Sequence, residues 1–175
     1  MLNWLSSPGC PRPFRKRVVA MALVRNAGVS PLEQHIGYWL RFVSNHVSHA
    51  FKLKVEAQGV TVAEWALMRQ MFQAGRVSPS LLAEQLGMTR GTISKLVDRL
   101  LEKGLVKKTP DRKDRRAQRV SLTARGRRLV PILAQLADEN DAEMFGHLSE
   151  QTRADLIELL KGIVQRHGWK DVPVD

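Results

Sequence analysis

The apolar positions of the chain recur at helical spacing in several separate stretches. Between residues 31 and 57 they form one stripe, and aromatic and His side chains widen the same surface. The stripe contains Leu32, Ile36, Trp39, Leu40, Val43, Val47, Ala50 and Phe51, flanked by His35, Tyr38, Phe42, His46 and His49. Ser30-Pro31 before it is typical of an N-cap followed by Pro in the first turn. The pattern predicts a long helix that packs on two sides, against its own domain and against something else.

Shorter apolar patterns follow, each opened by a Ser or Thr cap. Thr61 begins one predicted helix, and Ser78-Pro79 begins a short one that stops at Gly87. Met88 alone separates this glycine from Thr89, the next cap. Two short helices joined by so tight a turn are typical of a helix-turn-helix.

The helix predicted from residue 90 to residue 103, here called the reading helix, is amphipathic. Its inward positions are Ile93, Leu96, Val97, Leu100 and Leu101, and its outward positions are Gly91, Lys95, Asp98, Arg99 and Glu102. Residues 105–109 and 117–122 then have the pattern of short strands, joined by a seven-residue charged loop. A helix-turn-helix followed by a hairpin predicts a winged helix-turn-helix lobe over residues 61–122.

Two further helices are predicted after the hairpin, capped by Thr123 and Ser149. The apolar stripes of residues 31–57 and 149–166 exceed what a winged-helix core can cover, so we expect a homodimer. The predicted fold is mainly α with a small β-hairpin wing, and dimerisation helices lie at residues 31–60 and 123–175. Residues 1–30 are expected to form a basic, disordered leader.

Positive charge is concentrated in one part of the chain. Residues 87–128 hold fourteen of the 28 Lys and Arg residues but four acids, which accounts for ten of the eleven net positive charges. Residues 129–175 are net negative. Basic charge gathered on a helix and its neighbouring loop is the electrostatic footprint of phosphate binding. A winged helix that contacted only other proteins would have no reason to place this charge there.

Residues 86–129 carry a specific resemblance. They read LGMTRGTISKLVDRLLEKGLVKK followed by TPDRKDRRAQRVSLTARGRRL, which resembles the MarR family of bacterial transcription regulators. With the helices on both sides, the resemblance extends over residues 31–166. It implies a homodimer whose first and last two helices interlock, with a winged lobe on each side, and a regulator rather than an enzyme.

The predicted DNA contacts lie at the start of the reading helix and at the tip of the wing. A helix N-terminus directs backbone N–H groups at phosphate, and short side chains let it enter a major groove about 12 Å wide. In the loop, Asp114-Arg115-Arg116 resembles the family's Asp-x-Arg element, in which the Asp orients an Arg that reaches the minor groove. The predicted contacts are Thr89, Arg90, Gly91, Thr92, Ser94, Lys95, Arg99, Arg112, Lys113, Asp114, Arg115 and Arg116.

The resemblance also implies an effector, since the family binds small aromatic anions near its first two helices. The candidate ligand residues are His35, Trp39, Trp65 and Arg69, although Trp residues at helical spacing equally suit a plain core. His46 and His49 lack an identified carboxylate or thiolate partner, so no metal site is predicted. We find no catalytic motif and expect no cofactor. The single cysteine, Cys10, excludes an intrachain disulfide and favours a reducing cytoplasm.

The sequence therefore predicts a cytoplasmic, homodimeric regulator that binds double-stranded DNA at a pseudo-palindromic site. A repressor released by a small aromatic or phenolic ligand is the favoured form. An RNA-binding or ribosome-associated winged helix that uses the basic leader is the alternative. No apolar run reaches the ~20 residues that span a bilayer. Whether Met1 or Met21 is the true start stays open.

Overall fold

A computed structural model gives the structure of the protein and describes residues 29–111 and 118–169. The chain divides into two compact units, one ending at Phe42 and the other beginning at Val43. In the first unit a 3-10 turn, Leu32–Gln34, precedes helix α1, Ile36–Glu56, which continues into the second unit. The predicted leader, apart from residues 29 and 30, lies outside the described residues.

The long helix begins later than the sequence predicted. We expected its first turn at Pro31, but α1 starts at Ile36. His35 has an extended backbone, with φ of −91° and ψ of 124°, and its N–H donates to the Leu32 carbonyl at 3.0 Å. This tight turn ends the 3-10 segment before α1 can extend through it.

The second unit contains the rest of the predicted elements in the predicted order, which confirms the fold class. They are α2 (Val62–Ala74), α3 (Pro79–Gln85), α4 (Arg90–Glu102), β1 (Val106–Pro110), β2 (Gln118–Leu122), α5 (Ala124–Phe145) and α6 (Glu150–His167). Helix α4 is the reading helix, and β1 with β2 forms the wing.

All five helices from α2 to α6 begin at the Ser or Thr cap that the sequence indicated. The side chains of Thr61, Ser78, Thr89, Thr123 and Ser149 each accept a hydrogen bond from the backbone N–H three residues later. Such a cap satisfies one of the N–H groups that a helix start leaves without a partner. The caps therefore fix where each helix starts.

The wing is a two-stranded antiparallel sheet whose register runs from Val106 opposite Leu122 to Pro110 opposite Gln118. Val77, in the turn between α2 and α3, forms a further antiparallel bridge with Val120. Val106, Val120 and Leu122 enter the core. Because side chains alternate across a strand, Lys107 and Ser121 point to the other face, where Lys107 is exposed and Ser121 is 6% exposed. The bridge ties the wing to the helix-turn-helix.

The core of the second unit lies among α2, α4, α5 and the wing. Leu67, Met71, Ile93, Leu100 and Leu133 have no exposed surface. Helix α5 also approaches the turn before β1 very closely. A Cβ added at Gly126 would lie 2.1 Å from the Leu105 carbonyl oxygen, so this position requires glycine.

Helix α6 contributes nothing to that core. It has no buried residue within the described structure, and its predicted stripe stays largely in solvent: Leu156, Leu159, Leu160, Ile163 and Val164 are between 38% and 67% exposed. An apolar face of this kind usually marks an interaction surface.

Among the described residues, no helix is long and apolar enough to cross a membrane.

Candidate nucleic-acid interface

The reading helix buries one side and exposes the other, as its sequence pattern predicted. Ile93, Leu96, Val97 and Leu100 are at most 1% exposed and anchor α4 on the core. Every predicted contact residue described on this helix is exposed: Thr89, Arg90, Gly91, Thr92, Ser94, Lys95 and Arg99. The helix therefore presents one continuous polar face.

The first turn of that face is built without acidic side chains. Thr89 Oγ1 accepts from Thr92 N at 3.1 Å and lies 2.9 Å from Thr92 Oγ1, so the two hydroxyls form one cap. A Cβ added at Gly91 would meet nothing closer than Thr89 Oγ1 at 3.9 Å, which leaves space above the helix. Positive helix dipole, small side chains and the charges of Arg90 and Lys95 coincide here.

A buried carboxylate holds the other end of the reading helix. Glu64 of α2 is 0% exposed, and its Oε2 accepts from Lys103 Nζ at 2.7 Å and from Thr61 N at 2.7 Å. Its Oε1 lies 3.5 Å from Arg99 Nε and accepts no hydrogen bond from the described residues. Arg99, a predicted DNA contact, thus also anchors α4 to α2.

The electrostatics of Glu64 explain why a charge is tolerated inside the lobe. Burial by itself raises the pKa of the Glu64 carboxyl. The hydrogen bonds from Lys103 and Thr61 and the charges of Lys103 and Arg99 outweigh that effect, so the pKa lies below its ordinary value. The carboxylate stays ionised and fixes both cations at the end of α4.

The wing is fixed to the reading helix by a second ion pair. Lys108 Nζ of β1 donates to Asp98 Oδ1 of α4 at 2.8 Å. Toward the tip, Arg119 of β2 donates to Asp111. Arg112, Lys113, Asp114, Arg115 and Arg116 lie outside the described residues, so the structure does not test their predicted roles.

Comparisons with known proteins agree with this arrangement. A sequence profile of the MarR family matches residues 58–117, which include α2, α3, α4 and β1. The chain is 26% identical over 113 residues to the transcriptional regulator HosA of Escherichia coli O157:H7, a span of 65% of this chain and 84% of HosA.

The chain belongs to the MarR family. It is a transcription regulator and not an enzyme, as the sequence predicted.

Two solved structures share its fold. One is a MarR variant of Escherichia coli bound to operator DNA, with 24% identity and a TM-score of 0.66 over 74% of this chain and 93% of that one. The other is BpsR of Bordetella bronchiseptica, from work on regulation of its DNA binding by 6-hydroxynicotinic acid. BpsR has 23% identity and a TM-score of 0.67 over 78% of this chain and 97% of its own.

The candidate ligand residues of this MarR-family chain fall in both units. In the first unit Trp39 is 40% exposed, donates from Nε1 to the Glu33 carbonyl at 2.9 Å, and lies edge-on to Tyr38. His35 is exposed. In the second unit Trp65 packs partly buried against the core while Arg69 is exposed. Their assignment to a ligand stays a prediction.

Sequence reasoning missed the basic residues on the outer face of the wing. Arg76, Lys107 and Arg127 line one groove there, although they come from three separate elements. The signal available in the sequence was the position of Lys107 beside the strand residue Val106, since neighbours on a strand face opposite sides.

Among the described residues, no group of three or more His, Cys, Asp or Glu could hold a metal ion.

Proposed function

We propose that this MarR-family regulator reads a specific double-stranded DNA site with the exposed N-terminal half of α4. The observation that carries the proposal is the exposed, acid-free first turn of this helix. Arg90 lies in this turn and Lys95 in the next, and neither forms an ion pair within the described residues. Unpaired cations at a helix N-terminus suit phosphate oxygens and guanine edges. The operator complex of the related MarR supports the same use of the fold.

The regulator is proposed to act as a homodimer. Its support is the apolar stripe of α6, where Leu160 and Ile163 are 40% and 42% exposed, and the scarcity of buried residues on α1, where Val55 alone is buried. Two reading helices related by a two-fold axis would require a pseudo-palindromic site with half-site centres about 10 bp apart. Binding to chromosomal DNA would place the protein in the cytoplasm.

Selection of bound duplexes from a random library tests the proposal. We expect enrichment of an inverted repeat, and the enriched duplex should outcompete structured RNA of equal length. Asymmetric single half-sites would contradict the dimeric reading of DNA. Preference for the RNA would support the alternative of an RNA-binding winged helix.

Repression relieved by a small aromatic acid is the second part of the proposal. Trp65 could stack on an aromatic ring, and the exposed Arg69 could pair with a carboxylate. His35 and Trp39 remain further candidates in the first unit. The related BpsR, studied for its regulation by 6-hydroxynicotinic acid, supports an effector of this class. Such a ligand would release DNA by preferring a dimer shape that fits the site less well.

A thermal-shift screen of benzoates and hydroxynicotinates, followed by DNA titration, tests the effector. Hits should stabilise the wild type and weaken DNA binding 5- to 150-fold if the coupling is of ordinary size. Equal stabilisation of the Trp65→Ala, Arg69→Ala double variant would place the ligand elsewhere. Hits that leave the DNA affinity unchanged would argue against effector control.

A further inference from the structure

The outer face of the wing carries a groove of about 480 Å³, here called the outer wing groove. The side chains that matter for its chemistry are Arg76, Lys107, Thr109, Ser121, Thr123 and Arg127. They come from the turn before α3, from both wing strands and from the start of α5. The groove thus joins three separate parts of the DNA-binding lobe.

The charges in this groove are uncompensated. Among the residues that the structure describes, three cations and no acidic side chain line it. Arg76 Nη2 donates to Thr109 Oγ1 at 2.7 Å and weakly to the Pro110 carbonyl at 3.4 Å, which are neutral partners. Arg127 lies 5.8 Å from the centre of the Phe72 ring. Three positive charges around one groove repel each other unless an anion neutralises them.

Several basic residues near the groove and the reading helix are paired. Lys108 pairs with Asp98, Arg119 with Asp111, and Lys103 with Glu64. Arg76, Lys107 and Arg127 form no ion pair within residues 29–111 and 118–169. The groove therefore brings together three basic side chains without an acidic partner among the described residues, next to wing residues that do have one.

A hydroxyl adds a neutral donor to this lining. Ser121, which pairs with Lys107 in the wing register, borders the groove. A serine hydroxyl can donate one hydrogen bond and accept others, so Ser121 can donate to an anion that the cations attract.

The position of the groove distinguishes it from the DNA-reading face. Lys108 points to the reading helix, where it meets Asp98. Lys107 and Ser121, which are paired in the wing register, belong to the opposite face of the two strands. A ligand in the groove would therefore lie across the wing from α4.

We propose that the outer wing groove binds a small phosphate-bearing anion, such as inorganic phosphate or a phosphate monoester. A phosphate dianion brings three acceptor oxygens and close to two charges at neutral pH, which suits two guanidinium groups, an ammonium and the Ser and Thr hydroxyls. The size of the groove leaves room for an organic substituent on the phosphate. The contacts would tie the turn at Arg76, the wing and α5 together.

Occupancy of the groove would also act on DNA binding, and this part rests on the proposed function. The wing is bridged to Val77, next to Arg76, so an anion that clamps Arg76 to Lys107 reduces wing motion. A stiffer wing loses less conformational entropy when it meets DNA. The anion is thus expected to raise affinity for the selected duplex.

Isothermal titration calorimetry of the full chain tests the binding step. Inorganic phosphate, phenyl phosphate and benzoate are titrated at pH 7.5 in chloride at constant ionic strength. Both phosphates should bind at least about tenfold more tightly than benzoate, because a carboxylate offers one charge and two oxygens. Benzoate binding as tight as phenyl phosphate would overturn the assignment.

The Arg76→Gln, Arg127→Gln double variant should bind phenyl phosphate at least about tenfold more weakly. The matched control is Arg128→Gln with Lys161→Gln, which removes two charges from exposed positions outside the groove. Ser121→Ala removes one hydroxyl from the lining of the groove, so it should keep the melting temperature and weaken binding about threefold. Unchanged affinity in both the double variant and Ser121→Ala would overturn the proposal.

Titration in the presence of the selected duplex separates a free anion from a DNA phosphate. Phenyl phosphate should still bind to the DNA complex and raise DNA affinity. Complete displacement by duplex, together with weaker DNA binding by Ser121→Ala, would assign the groove to the DNA backbone and overturn the small-anion proposal. Failure to bind any duplex would instead contradict the proposed function and leave the phosphate titration as it stands.

Discussion

Replacing Glu64 by Gln should destabilise the DNA-binding lobe, because Glu64 is a fully buried carboxylate with two hydrogen bonds of 2.7 Å. The amide oxygen of Gln can still accept from Thr61 N, but the charge that holds Lys103 and Arg99 is lost. Removing one partner of a buried pair costs about 3 to 5 kcal/mol. The Lys103 and Arg99 side chains are 35% and 52% exposed and can recover hydration, so the expected loss is about 2 kcal/mol.

This loss corresponds to a fall in melting temperature of about 4 to 8 °C for a domain of this size. Thermal and urea unfolding at fixed protein concentration measure it, since dimerisation makes stability depend on concentration. The matched control is Glu56→Gln, whose carboxylate is 43% exposed and lies 3.8 Å from Lys52. Such a surface pair contributes at most about 1 kcal/mol.

The pH dependence supplies the sharper test. The pKa of Glu64 is lower in the folded protein than its ordinary value near 4.3, so the unfolded chain takes up this proton first as pH falls. The stabilisation is therefore fully present above about pH 4.3 and is lost as pH falls through the lower folded pKa. The gap between wild type and Glu64→Gln should be constant from pH 7 to pH 5 and should shrink below pH 4. A gap that does not depend on pH, or no gap at pH 7, would refute the reasoning.

Three further results are expected. Gly126→Ala should lower the free energy of unfolding by at least about 2 kcal/mol, because the new Cβ would lie 2.1 Å from the Leu105 carbonyl oxygen. The control Gly37→Ala, whose Cβ would have nothing within 4 Å, should change this free energy by less than about 1 kcal/mol. Equal urea midpoints for both variants would contradict this. Leu160→Asp with Ile163→Asp should yield a folded monomer by light scattering and circular dichroism, and a persistent dimer would locate the interface elsewhere. Affinity for the selected duplex should fall about 10³- to 10⁵-fold between 50 and 200 mM salt if six to ten phosphates are contacted, and a flat salt profile would speak against the charged face.

The features that were predicted correctly are local in sequence. The five Ser and Thr caps and the buried side of α4 depend on residues within one or two turns of each other. Glu64 had a local signal too, since Thr61-x-x-Glu64 has the pattern of a capping box, and the structure forms that box. The sequence did not indicate that Glu64 also reaches Lys103, which is 39 residues away.

The features that were missed depend on register and on single backbone angles. The outer wing groove needs Arg76, Lys107 and Arg127 to meet, which follows from the pairing of β1 with β2 and from the bridge at Val77. The late start of α1 depends on the extended conformation of His35, a residue with no strong preference against helix. Neither the groove nor the late start of α1 follows from hydrophobic periodicity. Periodicity indicates which face of a helix or strand is buried, and not which residues from distant parts of the sequence lie next to that face.

The central claim is that the exposed N-terminal half of α4 reads DNA, and equilibrium titration of the selected duplex tests it most directly. Arg90→Gln and Lys95→Gln should each weaken binding by about 1 to 3 kcal/mol, about 5- to 150-fold, with relaxed base preference at one position of each half-site. Lys161→Gln on α6, which removes the same charge far along the sequence from the reading helix, should bind like the wild type. Wild-type affinity and base preference in both α4 variants would contradict the account.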